Sequence, residues 1–198
     1  MQSDLELASL LASRLCHDVV GPVGAIQNGL ELMAEDQSMA EMAMDLIKKS
    51  AAQATAKLQY ARMAYGAAGG ADMLDPGEAG QLTAAMFEGE RATLDWTWSG
   101  EAAARVPVKL AMRLATFALG AVPRGGTMRL ERADGDLLTV VAEGTTIRTP
   151  PFTELVTEGG DTTAPRAVQA VLMHRLAVSV GSRIIAAQDE TSMTFKTA

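Results

Sequence analysis

Two long helical periodicities in the first third of the chain constrain its fold more than any other feature. Between Leu5 and Met33 the apolar positions Leu11, Leu15, Val19, Pro22, Ile26, Leu30 and Met33 recur at gaps of 4, 4, 3, 4, 4 and 3. That is an 11-residue repeat, close to the natural period of a straight α-helix. Glu35-Asp36-Gln37-Ser38 breaks the pattern, and Ser38 with Glu41 has the form of a capping box. A second helix is predicted from Met39 to about Ala67, with Ile47, Ala51, Ala54, Leu58, Ala61 and Tyr65 at gaps of 4, 3, 4, 3 and 4. Two amphipathic helices with so short a connection form an antiparallel hairpin. A lone hairpin leaves much apolar surface in water, so pairing two of them into a four-helix bundle is its natural completion.

Ala67-Ala68-Gly69-Gly70-Ala71-Asp72 reads as a hinge, dividing the chain into segments 1–68 and 73–198. The second segment alternates element types. Helices are predicted at Pro76 to Glu90, Val106 to Val122 and Pro165 to Val180. Strands are predicted at Thr93 to Trp98, at Thr127 to Glu131 and Leu137 to Ala142 around a turn at Ala133-Asp134-Gly135, and at Arg183 to Ala187 with Ser192 to Thr197. The fold class is therefore α+β: a helical hairpin followed by a mixed sheet with helices on one face.

Composition removes several kinds of function. A net charge of −7 argues against a nucleic-acid partner, which needs a basic footprint. The single cysteine, Cys16, rules out an internal disulfide framework, and with only two histidines a multi-histidine metal site is excluded. The most apolar run, Leu114 to Pro123, has ten residues, where a membrane span needs about 20. The acidic start of the chain has no basic run of the kind that opens a signal peptide. A cytoplasmic protein without membrane contact is the expectation.

Few residues are left to carry chemistry. His17 lies about 160° around the first helix from Leu15, nearly opposite the apolar stripe. An exposed histidine follows, with Leu10, Ser13, Arg14, Gly21, Gly24 and Asn28 within about 60° of it. Two glycines inside an exposed helix each cost about 1 kcal/mol against alanine. They make sense where another backbone or a phosphate must come close, or where they accommodate a kink at Pro22. Ser13, His17 and Asp18 share one helix, so a hydrolytic triad is excluded. Cys16 is expected beside the core. What remains is a nucleophilic imidazole, its ring oriented or its proton managed by Asp18, with Arg14 neutralising phosphoryl oxygens.

His17-Asp18-x-x-x-Pro22 on the first helix of a hairpin resembles the H-box of histidine-kinase dimerisation domains. The run Ser13-Arg14-Leu15-Cys16-His17-Asp18, continued by Gly21-Pro22-Val23-Gly24-Ala25-Ile26 and Asn28-Gly29-Leu30-Glu31-Leu32, resembles more specifically the ChpT-type histidine phosphotransferases of alphaproteobacteria. That resemblance implies a homodimer with a kinase-like hairpin and a degenerate, Bergerat-like ATPase domain. It implies that His17 accepts a phosphoryl group from the receiver of a hybrid histidine kinase and passes it to response-regulator receivers. It also implies no cofactor on this chain, since the receiver brings its own Mg²⁺ and ATP is not used. Arg14 and Asp18 would assist His17, and Leu10, Ser13, Gly21, Gly24 and Asn28 would dock the partner.

The second segment fits that implication. Pro123-Arg124-Gly125-Gly126 resembles the turn after the kinase helix that supplies Mg²⁺-holding asparagines, but the asparagine positions fall on Arg113 and Phe117. The adenine-reading aspartate aligns with Ala142. Two other readings stay open: an ATP-dependent kinase core, and a non-catalytic scaffold that binds receivers. His174 reads as a structural histidine, Trp96 and Trp98 as packing under a helix, and Lys48-Lys49 as a solvated face or a steering patch.

Overall fold

The computed structural model describes residues 2–66, 72–133 and 137–198. The first helix begins at a capping box one turn from the start of the chain. The Ser3 hydroxyl accepts from the Glu6 amide at 3.3 Å, and the Glu6 carboxylate accepts from the Ser3 amide at 2.9 Å. Helix α1 then runs over Asp4–Glu35 with Pro22 inside it. The capping box expected at Ser38 does not form. Asp36 is already extended and takes that role, accepting from the Ser38 amide at 2.8 Å ahead of a single 3₁₀ turn at Gln37–Met39. Helix α2 covers Ala40–Tyr65.

The two helices run antiparallel, since Gly29 meets Ile47 near one end and Asp18 meets Lys57 further along. A Cβ on Gly29 would stand 2.6 Å from Ile47 Cγ1, so this glycine sets the closest approach of the hairpin. The expected seam is covered along most of its length. Leu11, Leu15, Val19, Ile26 and Met33 are half-buried and Pro22 is buried, but Leu30 and Leu58 each remain 56% exposed. The expected hinge falls largely on residues 67–71, outside the described residues, as does most of the turn expected at Ala133-Asp134-Gly135.

The remaining elements are β1 (Met73–Leu74), α3 (Pro76–Ala85), β2 (Ala92–Trp96), β3 (Ala103–Ala104), α4 (Arg105–Ala118), β4 (Gly126–Ala133), β5 (Leu137–Glu143), α5 (Thr153–Thr157), α6 (Val168–Val178), β6 (Ile184–Gln188) and β7 (Ser192–Thr197). β1 and β3 form a small antiparallel pair, and the main sheet has the order β2-β4-β5-β7-β6. Among the described residues only β2 joins its neighbour in parallel, as the αβ crossover through α4 requires. Burial alternates along the strands: Met128, Leu130, Leu138, Val140, Ala142, Met193 and Phe195 face the helices. The opposite face is polar, with Arg129 3.6 Å from both Asp95 and Glu143. One face is thus packed and the other wetted, as an α+β layer requires.

Helix α4 is the centre of this layer, with Val108, Leu110, Ala111, Met112, Leu114, Ala115 and Ala118 buried. The end of α2 enters the same core through Tyr60 and Ala64. The Tyr60 hydroxyl meets Thr116 Oγ1 at 2.8 Å and lies 3.2 Å from the Met112 carbonyl oxygen. At the other end of the hairpin, Leu7 packs against Val168 and Val171 of α6, and Arg175 donates to the Gln2 carbonyl at 2.7 Å. The hairpin is therefore attached to the layer at two places. Trp96 lies under α3, where Gly80 leaves room for its ring, as expected of that tryptophan.

Candidate functional site

The His17 side chain is 73% exposed on the middle of α1. The helix fixes its surroundings. One residue on, the Asp18 carboxylate has one oxygen 3.6 Å from His17 Nδ1, while the other accepts from Arg14 Nε at 2.8 Å. At 3.6 Å the contact with the ring is an ion-pair distance that still lacks a hydrogen bond. It nevertheless turns Nδ1 toward the acid and leaves Nε2 pointing away from Asp18. An N–H kept on Nδ1 puts the lone pair on Nε2, the tautomer needed for attack on an electrophile. Arg14 and Asp18 side chains are each 31% exposed, so this pair sits at the rim between His17 and the hairpin seam.

Most of the expected docking residues lie along the face of α1 that carries this histidine. Ser13, Gly21 and Asn28 are exposed, and a Cβ on Gly21 or Gly24 would meet no atom of the chain within 4 Å. These glycines are open toward solvent, while the glycine that admits a neighbouring helix is Gly29. Leu10 has a different placement. It packs against the Leu7, Val168 and Val171 cluster, because the beginning of α1 is held on α6. Cys16, expected beside the core, is exposed. It lies about 100° around the helix from Leu15, away from the side covered by α2.

Lys57 was not among the expected residues. Its Nζ donates to the backbone carbonyl of Asp18 at 2.9 Å. The sequence did hold a signal for it, since a proline at 22 deprives the carbonyl at 18 of its helical donor. Below this pair, Arg14, Asp18 and Lys57 open onto a cleft of about 290 Å³ whose far wall includes Glu88, Glu90 and Thr116.

The positions expected from the sequence to match a kinase nucleotide site have partners within the chain. Arg113 is buried and donates from Nε to the Ala64 carbonyl at 2.9 Å. Phe117 packs edge-on against Phe195 with ring centroids 5.6 Å apart, and Ala142 is fully buried. Beside Arg113, Lys109 donates to the Gly66 carbonyl. Burial, reinforced by Arg113 and Arg105, brings its ammonium down to about 8. His174 is half-buried with Nδ1 3.2 Å from the Val156 carbonyl oxygen, and Gly159 lies against its ring. That is the structural role expected of it. The neighbouring Asp161 accepts from the Gln2 amide at 2.7 Å and so helps hold the start of the chain. Among the described residues, no three His, Cys, Asp or Glu side chains gather into a metal-binding group. Among those residues, too, no helix is long and apolar enough to cross a membrane.

An exposed histidine with an acid at its side, on a hairpin anchored to an α+β layer, is the arrangement expected of a histidine phosphotransfer protein. A family model, the histidine phosphotransferase C-terminal domain, matches residues 76–192. The protein phosphotransferase ChpT of Brucella abortus (strain 2308) is 43% identical over 158 residues, covering 77% of this chain and 75% of the relative. A bacterial phosphotransferase of known structure superposes with a TM-score of 0.86 at 36% identity, covering 100% of this chain and 98% of the other. The chain belongs to the histidine phosphotransferase family. It is a phosphotransferase of the ChpT type.

Proposed function

We propose that His17 is the phosphoacceptor and that the protein relays phosphoryl groups between receiver domains without using ATP. The observation that carries this reading is the geometry at His17: a 73% exposed imidazole whose Nδ1 lies 3.6 Å from a carboxylate oxygen of Asp18. In the forward step the Nε2 lone pair attacks the phosphorus of a receiver's phosphoaspartate. The acyl-phosphate P–O bond breaks, and the aspartate leaves as carboxylate. The proton stays on Nδ1, where Asp18 stabilises the charge the ring acquires. The reverse step, onto a second receiver, breaks the P–N bond and returns the neutral ring. Such transfer is chiefly positioning and charge neutralisation, and Mg²⁺ belongs to the receiver.

The residues at the kinase-like positions support the absence of ATP chemistry. Arg113 is committed to the end of α2, and Phe117 to Phe195. Neither offers an oxygen to Mg²⁺. Homodimer formation is part of the same reading. Val20, Val23 and Leu30 on α1 and Leu58 on α2 are between 50% and 67% exposed, and a four-helix bundle buries such flanks.

Incubation with a phosphorylated receiver tests the proposal. Acid-labile label is expected on the wild-type protein and none on His17→Ala, with no uptake from Mg²⁺–ATP alone. Label persisting on His17→Ala moves the site elsewhere, and label taken from ATP restores the kinase alternative.

A further inference from the structure

The proline in α1 leaves a backbone acceptor that a lysine on α2 takes up. In a regular helix the carbonyl of Asp18 accepts from the amide of the residue four positions on. Here that residue is Pro22, which has no N–H and whose ring crowds the carbonyl it would have bonded. Pro22 is buried in the hairpin, so it belongs to the packing of the hairpin. The carbonyl finds its donor outside its own helix, in Lys57 Nζ at 2.9 Å. Lys57 is half-buried and reaches this atom from 39 residues away in sequence. A charged donor makes a stronger bond than the amide it replaces.

Asp18 is thereby held at both ends. Arg14 fixes its carboxylate at 2.8 Å, and Lys57 fixes its main chain. The residue that orients the His17 ring has little freedom, although the helix ladder is broken there. We propose that Lys57 is a positioning residue for phosphotransfer: it closes the gap that Pro22 leaves and so fixes the turn of α1 that presents Nε2 of His17 to the partner. This rests on the reading of His17 as the phosphoacceptor. It adds a residue on the second helix that touches neither the phosphate nor the ring.

The test uses the full chain, a phosphorylated receiver as donor, and the variants Lys57→Met, Lys57→Arg, Pro22→Ala and the double variant Pro22→Ala/Lys57→Met. Lys57→Met is expected to slow label uptake about tenfold, the lower end for loss of a residue that orients a functional group. Lys57→Arg should recover most of the rate. Pro22→Ala restores an amide donor to Asp18, so Lys57→Met should cost little in that background. Amide hydrogen exchange supplies a second readout without the partner. The amides following Asp18 should exchange faster in Lys57→Met than in wild type, with the melting temperature little changed.

Wild-type transfer by Lys57→Met, or unchanged exchange after Asp18, overturns the proposal. An equal loss in the Pro22→Ala background also overturns it, because the lysine would then act through its charge on the partner. Labelling of His17→Ala is a different failure. It defeats the phosphoacceptor reading itself, whereas that reading survives every outcome at Lys57.

Discussion

Arg113 ends on the carbonyl oxygen of Ala64, with Nε donating at 2.9 Å and Nη2 closing on the same atom. Its guanidinium also lies 4.6 Å from the centroid of the Tyr65 ring. One turn earlier on α4, Lys109 donates to the Gly66 carbonyl. The last carbonyls of a helix have no partner within it and carry the negative end of its dipole. Two cations on α4 therefore cap the end of α2 and join the histidine-bearing hairpin to the layer. Both side chains are thus committed to holding the hairpin against the layer.

Removal of that clamp is the first test. Arg113→Ala leaves the Ala64 carbonyl in the core without its donor, a loss of about 1–3 kcal/mol. Arg113→Lys should restore only part, since an ammonium cannot reproduce the planar fork. Denaturant unfolding of the three proteins measures the difference. Equal stability of wild type and Arg113→Ala would show that the clamp contributes nothing.

A pH dependence follows from Lys109. Burial brings its folded ammonium down to about 8, below the ordinary lysine value of 10.5. Between these values the unfolded chain binds the extra proton, so stability from this group rises with pH across that window. Below it the lysine is charged in both states, and the full desolvation penalty persists. The melting temperature of wild type relative to Lys109→Met should climb between about pH 8 and pH 10.5, the span between the two values. A constant difference between the two proteins across that range would contradict this.

How much of this was legible in the chain depends on the kind of interaction. The repeat from Leu11 to Met33 identified α1, and the strands expected at Thr127 to Glu131 and Leu137 to Ala142 fall within β4 and β5. The exposure of His17 followed from the same arithmetic. Placement of Leu10 did not, since it depends on α6 arriving more than a hundred residues later. Arg113 and Phe117 could be read as unsuited to Mg²⁺, but their actual partners, Ala64 and Phe195, are tertiary facts. Short elements such as α5 and the β1–β3 pair have too few residues to show a period. Lys57 is the instructive omission: the signal lay in Pro22, as a missing donor.

The glycines of α1 should separate into two kinds. Gly29→Ala places a methyl against Ile47 and the Ala43 carbonyl, so overpacking should cost about 1–3 kcal/mol. Gly21→Ala and Gly24→Ala meet nothing within 4 Å, and each should stabilise the helix by up to about 1 kcal/mol. If the open glycines admit the receiver, those two variants melt higher yet take up label more slowly. Thermal melts paired with transfer rates decide it. Faster transfer, or equal destabilisation at all three sites, would remove the docking role.

Dimer formation is checked through Leu58. Its 56% exposure means that Leu58→Glu buries no charge within the chain itself. In a four-helix bundle the same substitution places an unpaired carboxylate in the interface, where it is costly. The variant should therefore keep its helix content and sediment as a monomer at concentrations where wild type is a dimer. A monomeric wild type would refute the bundle, and a dimeric Leu58→Glu would place the interface on another face.

Asp18→Asn separates chemistry from stability. The Arg14–Asp18 pair is 31% exposed on both sides, so its loss should change stability by less than about 1 kcal/mol. Phosphotransfer should suffer more. An amide keeps the size of the side chain but cannot stabilise the positive ring that the proposed attack by Nε2 creates. The uptake rate should fall about 10- to 100-fold, the range by which the group that orients a metal-bound histidine affects its site. The same factor should appear in the reverse direction, because both steps pass through one charged ring. Rapid-quench measurements in each direction, with melts run in parallel, give both quantities. A large drop in melting temperature with unchanged transfer would make Asp18 a structural residue and leave His17 to act without it.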